Sequence, residues 1–442
     1  MKGSIRVASL FAGCGGDSLG FLNANTPSNI QAGKGFEIVY ANDIDEAACN
    51  TLEEVFGEKV VHRGDVKKED DFGSPNVILG GFPCQGFSLA GPRKLDDKRN
   101  TLYRELKRAI SLTNPEFFVV ENVKGFTTLG HKVPEKPVGR AHNPTTDWYW
   151  RYSEIAIRIL KEFEKCGDYG YKLYPNICNA KDFGVPQERE RFILVGVRND
   201  IMKSTDLKFK FEHPENTHYD PKKDYPHKLI GADGKPFTQK PYVTLEKAIK
   251  HMPEPEASEV HDGYFSFRYM SRNRIKKWDE QSFTIPATAD QVPLHPDSKG
   301  MIPIKEGFFW DVDKLIEREC SRAHCNNKVT KQPTRTPKII EAISGRGWID
   351  GPITYKVRDK RMFKDGERPR RMSVKECLII QGFPEDYPLK GSLIHKYSQV
   401  GNAVPPPLMQ KIAECIKPYF YPEDYPLPKE SLMKRKKKKV TA

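Results

Sequence analysis

The apolar run Val77-Ile78-Leu79 breaks into Gly80-Gly81-Phe82-Pro83-Cys84-Gln85-Gly86-Phe87-Ser88, and this stretch limits the fold more tightly than any other. A run this short and apolar reads as the end of a buried strand. Three glycines and a proline then force a sharp turn. Open α/β sheets bind ligands just beyond the carboxyl ends of their strands. Cys84 is therefore placed where such a fold does its chemistry. A lone loop cysteine is more often a small apolar residue, so the surroundings must decide its role.

The rest of the chain alternates strand-like and helical runs. Ile5–Leu10 leads into Phe11-Ala12-Gly13-Cys14-Gly15-Gly16-Asp17, where glycines let a ligand approach the backbone closely. Such turns are common, and alone this one is a weak signal. Glu37–Ala41 reads as a second strand ending at Asn42-Asp43-Ile44-Asp45. An acid there either binds ribose hydroxyls or caps the next helix, and Asp43 and Asp45 are equal candidates. Gly64-Asp65-Val66 supplies a third acid. A helix near 101–112 precedes Phe117-Phe118-Val119-Val120 and Glu121, a carboxylate whose apolar setting favours its protonated form. Residues 130–150 read as a surface insertion, and 151–165 as an amphipathic helix.

Val185-Pro186-Gln187-Glu188-Arg189-Glu190-Arg191 precedes the strand Phe192–Val197. Arginines two apart on extended backbone suit a phosphate or carbonyl, or else a salt-bridged edge with Glu188 and Glu190. From about 205 periodicity fades and Pro, Lys, His and Tyr dominate. Within this region Arg268-Tyr269-Met270-Ser271-Arg272-Asn273-Arg274 mixes cations, amides and aromatics, as readout of base edges requires. Periodicity returns at Ser373–Ile380, and Gly401-Asn402-Ala403-Val404-Pro405 leads a last helix, 408–416.

Composition narrows the class. The 442 residues favour two domains, and 38% hydrophobic content is enough to build cores. The formal net charge of +13 suggests a polyanionic partner, nucleic acid first. No apolar run is long enough to span a membrane, and the N-terminus leaves no room for a signal peptide. Nine cysteines without a framework of spacings favour free thiols in a reducing compartment. Cys320, His324 and Cys325 lack further ligands, so no metal site is expected. The terminal run 434–439 reads as a solvated basic tail.

In this order, the motifs resemble the DNA (cytosine-5)-methyltransferases that use S-adenosylmethionine, over nearly the whole chain. The resemblance implies a Rossmann-like α/β sheet with a second, smaller, irregular target-recognition domain. It implies cofactor contacts at Phe11, Gly13, Gly15, Asp43, Ile44, Asp65, Pro83, Leu102, Asn402 and Val404. It makes Cys84 the nucleophile, Glu121 the acid, and Arg189 and Arg191 the paired arginines. The segment 270–296 is similar to the recognition domain of bacterial enzymes that modify GGCC-type sites, which implies DNA contacts at Gln85, Ser88, Arg272, Asn273 and Arg274. Departures are Asp43 for the usual Glu, Lys375-Glu376 and Ile379 in the late motif, and Ala289-Asp290-Gln291-Val292 where Gly-Arg-Gln usually precedes Leu-His-Pro.

The chemistry suits these residue types. Cytosine C5 becomes nucleophilic once a thiolate adds to C6, and a free thiol has a pKa of about 8.5, so Cys84 needs help to ionise. An acid at N3 neutralises the charge loaded onto the ring. The target base must leave the duplex stack. A catalytically dead DNA binder and an RNA methyltransferase on the same scaffold are the rivals; the acid, arginines and large recognition segment argue against both. The expected organisation is a catalytic domain at 1–205 plus 396–425, a recognition domain at 206–395 and a tail at 426–442. A cytoplasmic, nucleoid-associated monomer acting on double-stranded DNA is expected, in a bacterium or phage, alongside a restriction endonuclease for the same site.

Overall fold

The computed structural model describes residues 3–83, 102–128, 152–204, 211–263, 274–298 and 370–422, with the backbone of four short strands between 303 and 355. Strands β1 (Ile5–Leu10), β2 (Phe36–Asp43), β3 (Val61–Arg63), β4 (Val77–Gly80), β5 (Phe117–Val123), β6 (Tyr171–Asn179) and β7 (Glu190–Arg198) form one seven-stranded sheet ordered β3-β2-β1-β4-β5-β7-β6. The first five run parallel; β7 is antiparallel to β5 and β6. The amino end of β7 therefore lies at the carboxyl edge of the parallel strands, with Arg191 opposite Val123.

Strands buried on both faces need near-continuous apolar sequence. Alternate residues feed two cores. Val7, Leu79, Val119 and Val195 pack against α1 (Gly16–Asn23) and the final helix, while Ala8, Ile78, Val120 and Leu194 pack against α4 (Tyr103–Thr113) and α5 (Glu154–Glu164). Each such Val, Leu or Ile side chain contributes about 1.5–3 kcal/mol. The final helix, α10, spans Pro406–Phe420, longer at both ends than its apolar periodicity suggested, because Tyr419 and Phe420 continue into the core beside Phe117. Short helices α2 (Pro27–Gln31) and α6 (Asn199–Ser204) and the helix α3 (Glu46–Phe56) complete this layer order.

The chain divides into two compact units. The first comprises Met1–Val243, Gln381–Gly391 and Ala403–Ala442; the second comprises Thr244–Ile380 and Ser392–Asn402. The boundary expected near 205 thus falls at Val243. Phe211 enters the sheet core, His213 Nε2 lies 2.7 Å from the Tyr174 carbonyl, and Tyr242 donates to Asp182 at 2.6 Å. These contacts tie the irregular stretch 211–243 to β6 and the turn after it. The late boundary also shifts from 396: Gln381–Gly391 packs with the sheet, and α9 (Leu393–Asn402) with the second unit.

The described residues of the second unit form the helices α7 (Leu245–Ile249), α8 (Val374–Ile380) and α9 and the four short strands between 303 and 355, with single bridges joining Ile275 to Leu294 and Leu294 to Arg371. Two arginines, Arg371 buried and Arg370 half-buried, tie its described segments together. The Arg371 guanidinium donates to the carbonyls of His261, Gly263 and Asp290 at 2.9–3.3 Å. Glu376 grips Arg370 through both oxygens, at 2.8 and 3.0 Å, and accepts from the Ser373 N–H at 2.7 Å. Ser373 returns a bond to the Glu376 N–H, closing a capping box on α8. The late-motif departures keep this support: Lys375 pairs with Glu259 at 2.7 Å instead.

Candidate active site

The carboxyl edge of the sheet gathers most of the residues expected to bind cofactor. Beyond β1 the chain turns through Phe11, Gly13 and Gly15, all at positive φ (56°, 56° and 82°). Only glycine takes such angles without strain, and Phe11 is held there by packing on the core. A Cβ at Gly13 would meet nothing within 4 Å, so the turn is open to an approaching molecule. Asp43, at the end of β2, fixes it: one carboxylate oxygen accepts from the Gly13 N–H at 2.7 Å, the other from Asp45 N–H at 2.9 Å. Burial pushes the Asp43 carboxyl up, against the N–H donors that favour its charge. Asp45 is the helix cap, accepting from Ala48 N–H at 2.8 Å, while Asp43 faces the glycine turn. Ile44 projects beside them, 75% exposed, an apolar face unusual at a polar edge. Asp65 caps a 3₁₀ turn through Lys67 N–H at 3.1 Å, and Leu102 packs on the core at the entry to α4.

Val404 lies against α1. A Cβ on Gly16 would sit 2.3 Å from the Val404 carbonyl, so glycine is required for the return segment to close there. Asn402 belongs to the second unit, exposed at the end of α9 and 3.4 Å from Ser398.

The residues expected to be catalytic divide. Glu121 and Arg191 are brought together, Oε1 to Nε 2.7 Å, both largely buried. Gly81 adjoins them: its Cβ position is 3.5 Å from Glu121 Oε2. Asn122, fully buried, reaches the Phe82 carbonyl at 3.4 Å, tying the acid strand to the residues that lead through Pro83 into Cys84. Arg189 takes a different place. It is 1% exposed, and its Nη2 donates to the Ala403 carbonyl at 2.9 Å. Gln381 donates to the same carbonyl at 2.6 Å and accepts from Gln187 at 2.5 Å. Burial and the neighbouring Arg191 push the Arg189 pKa well down. Of the neighbouring glutamates, Glu188 pairs with Lys181 and Glu190 with Lys124.

Cys84, Gln85, Ser88, Arg272 and Asn273 lie outside the described residues, as do the insertion at 130–150, the segment 320–325 and the basic tail. Arg274 is described: its Nη2 donates to Gln291 Oε1 at 3.0 Å. The six described cysteines are free thiols, and burial pushes Cys14, Cys166 and Cys178 up to about 12, far from reactive. Sequence reasoning passed over Asp17, buried on α1 and accepting from Ser9 at 2.9 Å and Ser18 N–H at 2.6 Å. A first-turn acid directly behind the glycines was its only signal.

Residues 5–418 match the family model of the C-5 cytosine-specific DNA methylases. The chain belongs to that family. It is a DNA cytosine-5 methyltransferase whose methyl donor is S-adenosylmethionine. Its sequence is 35% identical over 429 residues to the type II methyltransferase M.BspRI of Lysinibacillus sphaericus, covering 90% of this chain and 78% of that one. It is 33% identical over 431 residues to M.BsuRI of Bacillus subtilis, covering 91% and 76%. Among solved structures, the methyltransferase EhMeth of Entamoeba histolytica shares the fold with a TM-score of 0.51 at 14% identity, covering 96% of this chain and 99% of that one. At its sheet edge the methyltransferase presents an open glycine turn, a carboxylate beside it and an exposed Ile44. Among the described residues no helix is long and apolar enough to cross a membrane, and no cluster of side chains is arranged to hold a metal ion.

Proposed function

We propose that this methyltransferase modifies one cytosine within a specific double-stranded DNA site, as the protective partner of a restriction endonuclease. The type II methyltransferases that it resembles support the setting, and segment 270–296 supports a GGCC-type target. The Glu121–Arg191 pair beside Gly81 carries the mechanism.

Cofactor held on Phe11–Gly16, Asp43, Ile44 and Asp65 supplies an electrophilic methyl group. The Cys84 thiolate adds to C6 of a flipped-out cytosine, making C5 nucleophilic. Glu121 delivers a proton to N3 as charge builds on the ring, and Arg191 orients Glu121 and faces the O2 edge. After methyl transfer the C5 proton leaves and the C6–S bond breaks, restoring both ring and thiolate. Asn122 keeps the loop entering Cys84 in register with the acid.

The test is Cys84→Ser with labelled S-adenosylmethionine. Methyl incorporation should fall by more than ~1000-fold while duplex binding persists, because a hydroxyl is far harder to ionise. DNA carrying 5-fluorocytosine should trap the wild-type chain covalently, since fluorine cannot leave as a cation. Near-normal incorporation by the variant would exclude the covalent route.

A further inference from the structure

The segment Gln381–Gly391 belongs to the sheet unit, although the chain on both sides of it belongs to the other. It lies along the glycine turn and α3 as a strap, fixed at three places. Gln381 bonds the Ala403 carbonyl at 2.6 Å. Lys390 donates its backbone N–H to Thr51 Oγ1 at 2.9 Å and its side chain pairs with Glu54 at 3.0 Å. Between them the buried Tyr387, packed at a tilt against Phe383 with ring centroids 4.7 Å apart, donates its hydroxyl to the Cys14 carbonyl. Phe383 itself abuts Gly16.

That carbonyl belongs to the peptide joining Cys14 to Gly15. The other side of the same peptide, the Gly15 N–H, donates to the Ala12 carbonyl at 2.8 Å. The peptide plane is thus tied at both ends, in a turn where three residues take positive φ. Glycine-rich backbone has many competing conformations of similar energy, and a plane left loose would rotate. We propose that Tyr387 is a positioning residue for the cofactor: by holding the Cys14 carbonyl it presets the Phe11–Gly16 turn in its binding conformation. This rests on the reading of that turn as a cofactor site. A residue near the far end of the sequence thereby sets the affinity of a site at the beginning.

Tyr387→Phe removes the hydroxyl and keeps the ring. Losing one such bond should weaken S-adenosylmethionine binding ~3- to 10-fold by calorimetry. On unmethylated plasmid DNA, KM for S-adenosylmethionine should rise by the same factor, with kcat at saturating cofactor and KM for DNA within about twofold. Hydrogen exchange of a peptide covering 11–16 should quicken while the β4 and β5 peptides stay protected, a readout independent of activity. Unchanged cofactor affinity, a fall in kcat alone, or exchange quickening across the whole sheet would each overturn the proposal. Asp43→Ala, which unties the Gly13 N–H of the same turn, separates the two readings. If it weakens cofactor binding and Tyr387→Phe does not, the positioning role fails alone; if neither does, the cofactor turn itself is misassigned.

Discussion

The sheet unit and the second unit hold their functional side chains by opposite means. In the first, strands fix the backbone, and Asp43, Glu121 and Arg191 project from strand ends with few further supports. Among the described residues of the second, where α7, α8 and α9 are short and the bridges single, arginines take the place of the ladder. Arg371 collects three carbonyls and Glu376 locks Arg370. A ladder satisfies backbone groups with other backbone and tolerates side-chain change. A guanidinium hub concentrates the same task in one residue. The second unit should therefore be the more fragile of the two under single substitution.

The largest expected effect tests that contrast. Arg371→Leu leaves three carbonyls without their donor and should cost ~3–5 kcal/mol. Calorimetry should show the loss in one transition, with S-adenosylmethionine affinity kept. A fall in cofactor affinity of similar size would show that the two units are not separately supported.

The sheet unit buries a carboxylate on α1, Asp17, whose pKa burial pushes up to about 6 despite its hydrogen bonds. The folded state then binds a proton that the unfolded chain has already lost. Asp17 thus adds no penalty below the ordinary carboxylate range, and stability is lost as pH rises through about 6. Asp17→Asn should raise the stability of the sheet unit by up to ~3 kcal/mol at pH 8, with the gap closing below about pH 4. Melting curves at the two pH values decide; a constant gap would mean that the Asp17 pKa does not change on folding.

Asp43→Ala removes the acceptor of the Gly13 and Asp45 N–H groups and should weaken cofactor binding by ~1–3 kcal/mol, leaving duplex binding unchanged. The counterpart in the second unit is Arg274→Ala, which should cost about 1–3 kcal/mol on the cognate site and relax the choice at one base pair. An even loss on all sequences, with the salt slope lowered by about one, would instead make Arg274 a phosphate contact.

The sheet and its edge were legible because their causes are local. Apolar runs of strand length, glycines at positive φ and acids at strand ends each announce themselves within a few residues. The amphipathic helix expected over 151–165 stands as Glu154–Glu164, capped by Ser153. Arg189 and Arg191 look alike in sequence, two apart around a glutamate, yet one bonds Ala403 and the other Glu121. No local pattern separates them, since the partner of Arg189 lies 214 residues away. The boundary near 205 was displaced for a similar reason: Phe211 and Tyr242 look like loop residues until β6 is present to receive them.

By itself the sequence determined the order of the motifs, the chemistry available at each and the parallel sheet that brings them to one edge, because periodicity and turn residues act over short range. Tertiary structure alone decided which of several equivalent polar groups became caps, hubs or site residues. Asp45 caps while Asp43 holds the glycine turn; Arg189 serves the core while Arg191 serves Glu121; Tyr387 reaches a carbonyl 373 residues distant. A buried polar group must find a partner, and which partner lies within reach is settled only when distant segments pack together.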